Sequence, residues 1–229
     1  MRIEKLEPSR HKQGRWLVWF EDGSLLRVSE GDVVSLSLYQ GQELSEQEAV
    51  ALTAAAGQSK LNERAADLLS ARSMSRRELV DKLTTPPRRR RKPGEEPGPE
   101  PDPEALAAER EALLIQAEVA ADRMERLGLL DDRAYAEAIV RHYGGKGFGE
   151  RKLRDELYRR GVPRELWDEA LAGRERGGED LYRLAERKLH GQPPTRENLK
   201  RVSDFLARRG YGWEEISAAL ERLGEIDYE

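Results

Sequence analysis

Residues 127–171 read LGLLDDRAYAEAIVRHYGGKGFGERKLRDELYRRGVPRELWDEAL, and this stretch decides the fold. It predicts three short helices joined by tight turns. Gly128 stands where a preceding helix ends in the left-handed conformation. Asp131 or Asp132 then caps a helix over 133–143. Gly144 to Gly149 form a loose turn, and Glu150 to Arg160 form the second helix. Gly161 stops that helix, and Pro163 opens the third in its first turn. The turn Arg159-Arg160-Gly161 returns downstream as Arg208-Arg209-Gly210, so the stretch is one copy of an internal repeat.

The repeat extends in both directions. Leu79-Val80-Asp81-Lys82-Leu83 matches Leu153-Arg154-Asp155-Glu156-Leu157 and Val202-Ser203-Asp204-Phe205-Leu206. Arg-Arg-Gly follows the second and third copies at one offset. Trp167 and Ile216 each fall six residues after that glycine, and Leu171 and Leu220 fall ten after it. Units this small cannot bury an apolar face alone, so neighbours must stack. The expected fold is mainly α: three tandem three-helix repeats forming an elongated curved array, preceded by a small antiparallel β N-terminal domain.

The rest of the chain is divided accordingly. Residues 1–45 have strand character, with Trp16-Leu17-Val18-Trp19-Phe20 followed by an Asp22-Gly23 turn and Leu25-Leu26-Arg27-Val28. A short helix is expected over Val33 to Leu38. Trp16 and Trp19 suit packing of a small sheet better than base stacking. Residues 46–83 connect to repeat 1 and begin it. Ser45 and Glu48 form a capping box there, and an interruption is expected near Gly57. Residues 84–104 are proline-rich, basic at Arg88 to Lys92 and acidic afterwards. This insertion cannot bury enough apolar surface to order itself; it reads as a solvated tether, with a phosphate contact as the rival. Residues 105–128 complete repeat 1 as a long helix with Leu113, Val119, Ala120, Met124 and Leu127 near one stripe. Repeat 2 is assigned to 129–173 and repeat 3 to 178–226.

Composition narrows the function classes. Of 229 residues 37 % are charged, there is no cysteine, and the net charge is −4. Disulfides, thiolate chemistry and cysteine zinc sites are therefore excluded, and the chain as a whole is no polycation. No apolar run approaches the roughly 20 residues of a membrane helix. A cytoplasmic, monomeric protein is expected, with no membrane association. Gly144-Gly145-Lys146-Gly147 lacks the pattern of a phosphate loop and the strand before it. His11, His142 and His190 are isolated, and Asp131-Asp132 suits capping better than a carboxylate pair. No nucleophile–base set stands out, and no cofactor or metal is called for.

Charge distribution is more telling. Between Arg141 and Arg164 eight basic residues face three acidic ones, and between Arg187 and Arg209 seven face two. Both excesses fall on the second helix of a repeat and its flanking turns. The candidate binding residues are Arg141, Lys146, Arg151, Lys152, Arg154, Arg159 and Arg160, then Lys188, Lys200, Arg201, Arg208 and Arg209. Such a face suits a phosphate backbone or an acidic protein groove.

The same residues carry a family resemblance. Leu129-Leu130-Asp131-Asp132-Arg133-Ala134-Tyr135-Ala136, then Val140-Arg141, Lys146-Gly147-Phe148-Gly149, Leu153-x-x-Glu156-Leu157 and Arg160-Gly161-Val162, resemble the RecX family. So does Phe205-Leu206-Ala207-Arg208-Arg209-Gly210-Tyr211. The resemblance covers about residues 60–226, and the insertion departs from it. It implies a non-enzymatic regulator of the RecA recombinase in DNA repair and recombination. It also implies binding in the groove of the RecA–DNA filament, with direct contact to single- or double-stranded DNA in some members. A general DNA-binding helical array and a plain helical scaffold remain the alternatives.

Overall fold

The computed structural model describes residues 1–85, 102–173 and 178–224. The insertion assigned to 84–104 lies outside these from 86 to 101, as does most of the linker between repeats 2 and 3. The chain divides into two compact units. One gathers Met1–Ser73 and Leu79–Leu130, the other Met74–Glu78 and Asp131–Glu229. No helix among the described residues is long and apolar enough to cross a membrane.

The first unit begins with strands β1 (Ile3–Pro8), β2 (Arg15–Phe20) and β3 (Leu25–Ser29), an antiparallel meander in the order β1-β2-β3. Its register sets Ile3 opposite Phe20 and Val18 opposite Leu26. Alternation then sends Ile3, Val18, Phe20 and Val28 into one core, with Trp16 packed at its edge. Ser29 caps α1 (Glu30–Ser35), which starts three residues before the expected helix because Ser29 and Asp32 close a capping box.

Helix α2 (Glu46–Ala71) is capped by Ser45 and Glu48, and it runs unbroken through Gly57. The expected interruption is absent. A Cβ at Gly57 would lie 4.0 Å from the Gln116 side chain on α4 (Pro103–Arg126), so this glycine stands where the two helices face each other. Helix α4 also corrects the expected stripe. Its buried face is Ala117, Ala120, Ala121 and Met124, while Val119 and Leu127 are 45 % and 59 % exposed. The spacing of three and four is that of an inward helix face. Small side chains, not the largest ones, occupy it.

The second unit opens with the first turn of α3 (Arg76–Thr84). Repeat 2 follows as α5 (Asp132–Gly144), α6 (Glu150–Arg159), a 3-10 turn at Arg164–Leu166 and α7 (Trp167–Ala172). Repeat 3 is α8 (Gly178–Leu189), α9 (Arg196–Arg208) and α10 (Trp213–Gly224). Each repeat has its own core. Tyr135, Ile139, Val140, Leu153, Leu157 and Leu171 form one, and Leu181, Ala185, Leu189, Val202, Leu206 and Leu223 the other. Leu153, Leu157 and Leu206 are fully buried, each contributing about 1.5–3 kcal/mol.

The Arg-Arg-Gly turns join the second helices end to end. The N–H groups of Gly149 and Arg151, at the start of α6, donate to the carbonyls of Arg209 and Gly210, at 2.9 and 3.0 Å. A turn from repeat 3 thus satisfies donors that a helix start leaves open. A methyl at Gly149 would collide with the Gly210 peptide. Upstream, the Ser75 hydroxyl donates to the Arg160 carbonyl at 2.5 Å, and the Arg77 stem lies against Gly161. Gly161 and Gly210 have φ of 70° and 88°, a conformation that favours glycine. The end of α9 therefore abuts the start of α6, and the end of α6 abuts the start of α3.

Candidate interaction surface

The twelve candidate cations separate into three kinds of environment. Two are held by the fold itself, Arg160 within repeat 2 and Arg209 between repeats 3 and 2. Arg160 donates from Nη1 to the Tyr135 hydroxyl at 3.1 Å and from Nη2 to the Tyr143 hydroxyl at 2.9 Å. Its guanidinium also lies 5.6 Å from the centre of the Tyr143 ring. The hydrogen bond to Tyr135 holds it firmly in the charged form, against the opposing effect of burial. Arg209 donates from Nη1 to the carbonyls of Lys146 and Gly147, at 2.7 and 3.1 Å, and stacks near Phe148 and Phe205. Residues of one sequence signature thus bind quite different groups in the two repeats.

A second set is paired or stacked locally. Arg154 reaches Glu150 at 3.0 Å and Asp168 at 2.9 Å, and the Asp168 hydrogen bond is the main cause of its raised pKa. The buried Glu156 gathers Lys152 at 3.9 Å, Arg159 at 3.5 Å and Arg160 at 3.7 Å. Lys146 and Lys188 lie over the rings of Tyr143 and Phe205. The exposed pairs of Arg154 contribute about 0–1 kcal/mol each, and with the Glu156 cluster they lower the charge that α6 offers to a partner.

The third set is open. Arg141, Arg151, Lys200, Arg201 and Arg208 are exposed, and none has an ionic or hydrogen-bonding side-chain partner among the described residues. Four of the five stand on the second helices, Arg151 on α6 and the others on α9. Arg141 instead lines a groove of about 1290 Å³ together with Lys146 and Arg209. Glu137, Glu169, Asp180 and Glu186 line it too, so it is mixed in charge and no simple anion site.

The other motifs resolve into structure. The Asp131 carboxylate accepts from the Ala134 N–H at 2.9 Å and caps α5. Asp132 accepts from the Arg76 N–H at 2.8 Å, at the start of α3. The glycine-rich turn receives Arg209 through its carbonyls, the reverse of a phosphate cradle. Among the described residues no cluster of His, Asp and Glu suits a metal ion. The third helices are acidic in their first turns, with Asp168 and Glu169 on α7 and Glu214 and Glu215 on α10.

Two family models match this region: the RecX second three-helix domain over 131–171 and the RecX third three-helix domain over 179–220. The regulatory protein RecX of Trichlorobacter lovleyi is 39 % identical over 114 residues, covering 47 % of this chain and 74 % of the relative. That of Thermus thermophilus is 41 % identical over 106 residues, covering 46 % and 67 %. The chain belongs to the RecX family. A crystal structure of regulatory protein RecX shares the fold, with a TM-score of 0.70 at 23 % identity over 96 % of this chain and 98 % of that one. RecX from Lactobacillus salivarius aligns with a TM-score of 0.52 at 20 % identity, over 74 % and 97 %. The matched RecX domains hold all twelve candidate cations.

One signal was overlooked in the linear reading. Asp81, Asp155 and Asp204 recur at one place in the repeat, where they serve to align the copies. Extending the match two residues toward the N-terminus adds Arg77, Arg151 and Lys200, each four residues before its aspartate.

Proposed function

We propose that the chain is a non-enzymatic modulator of RecA recombinase filaments, limiting their activity in DNA repair and homologous recombination. It binds the groove of the RecA–DNA filament through the second helices of its repeats. The observation that carries this reading is the set of open cations on α6 and α9, Arg151, Lys200, Arg201 and Arg208, in a chain of a regulatory-protein family. Arg160 and Arg209 act one step back, by holding those helices in place.

The acidic first turns of α7 and α10 count against docking a third helix in a DNA groove, since phosphates repel carboxylates there. The test is strand exchange and ATP hydrolysis by RecA filaments with the protein titrated in. A dose-dependent fall in both is expected, and no change in either sinks the reading. Salt-steep DNA binding that is identical with and without RecA would instead favour a general DNA-binding array.

A further inference from the structure

Placed side by side in the repeat register, the second helices keep the sign of charge in all three copies at two positions only. One holds Arg77, Arg151 and Lys200. The other, four residues on, holds Asp81, Asp155 and Asp204. The neighbouring positions do not keep it: the one after the basic residue reads Glu78, Lys152, Arg201, and the one after the aspartate reads Lys82, Glu156, Phe205. A separation of four puts base and acid on one helix face, about 6 Å apart along the axis.

All six residues are exposed. Among the described residues none of Arg151, Asp155, Lys200 and Asp204 has an ionic partner, and no base is closed onto its own aspartate. Helix stability does not account for the arrangement. A base N-terminal to an acid is the poorer order for a pair on a helix. Arg151, moreover, stands in the first turn of α6, where the helix dipole disfavours a cation. A phosphate backbone does not account for it either, because every cation that meets a phosphate would bring a carboxylate with it.

We propose that this face docks on a protein surface that offers a carboxylate beside a cation, with Arg151 and Asp155 as one contact pair and Lys200 and Asp204 as the next. The inference rests on the filament-modulator reading and assigns the main contact to the protein component of the filament, not to its DNA. The joint between repeats sets the interval. Lys200 is eight residues, or about 12 Å of helix, from Arg208 at the end of α9, and Gly210 just beyond touches the start of α6 beside Arg151.

The experiment measures binding to RecA filaments on single-stranded DNA, and to the same DNA bare, at one ionic strength. Asp155→Asn with Asp204→Asn removes two negative charges. It is expected to weaken filament binding about tenfold, at roughly 0.7 kcal/mol per contact, and to leave bare-DNA binding equal or tighter. The charge swap Arg151→Asp with Asp155→Arg keeps net charge constant and puts acid before base, the more stable order on a helix. It is expected to weaken filament binding similarly and leave bare-DNA binding unchanged. Filament binding by the double Asn variant as tight as wild type, or tighter, overturns the inference and leaves the modulator reading standing. A wild-type protein that does not bind filaments overturns both.

Discussion

Gly149 and Gly210 meet with almost no space between their backbones, and each is irreplaceable for a different reason. Gly149→Ala puts a methyl into the Gly210 peptide, where no flexible side chain can yield. It should cost at least about 2 kcal/mol, read from urea unfolding. Gly210→Ala adds a left-handed backbone, φ 88°, to a clash with Lys152. Gly191→Ala is the control: its φ is 68° but nothing lies within 4 Å, so the loss should stay near 1–2 kcal/mol. Arg160→Lys keeps the charge but loses the fork that reaches two tyrosine hydroxyls at once, and should cost about 1–2 kcal/mol. Sequence alone reads Arg-Arg-Gly as a turn with two charges. Tyr135, Tyr143 and the Gly147 carbonyl come from other elements, so the structural work of the second arginine is invisible in its neighbours.

At the scale of elements, α1 is fastened to α2 by a carboxylate. Asp32 accepts from the Ser59 hydroxyl at 2.7 Å and from the Ser29 hydroxyl at 2.7 Å. Burial works to raise its pKa, but these donors prevail and hold it below the usual 3.8. Glu63 is held below its usual 4.5 mainly by the hydrogen bond from Arg15, which links β2 to α2. For a depressed carboxylate, stability is complete above the unfolded value and drains away as pH falls through the folded one. The first unit should therefore weaken as pH falls below the ordinary values of 4.5 for Glu63 and 3.8 for Asp32. Amide exchange in β2 will show falling protection on acidification, and Asp32→Asn will flatten that response. Capping boxes, the hairpin turn and the helix-stop glycines were legible because each is a local interaction. The continuity of α2 through Gly57 and the alanine face of α4 were not, because both depend on how closely another helix approaches.

At the scale of the molecule, stability and recognition fall on different side chains of the same helices. Arg151→Glu with Lys200→Glu should raise the Kd for RecA filaments at least about tenfold. Because neither residue has a partner among the described residues, the melting temperature should stay within about 2 °C of wild type. Arg160→Lys should show the reverse, a lower melting temperature with filament affinity largely kept once the protein is folded. If the Arg151 and Lys200 variants melt early, those side chains belong to the fold and the surface assignment falls. The net basic excess of the two repeats was legible in sequence. Much of it is neutralised, around Glu156 and between Arg154 and Asp168, and only the folded chain distinguishes that fraction from the open remainder.

The sequence by itself determined the helical class, the three-strand start, the repeat with its glycine-stopped turns, and the family. Periodicity, capping and turn chemistry are properties of neighbouring residues, and repetition makes them visible several times over. Tertiary structure decided which arginine binds a partner and which binds the chain itself. A guanidinium is drawn to any well-placed oxygen, and the oxygens that claim Arg160 and Arg209 are brought near them only when helices distant in sequence pack together.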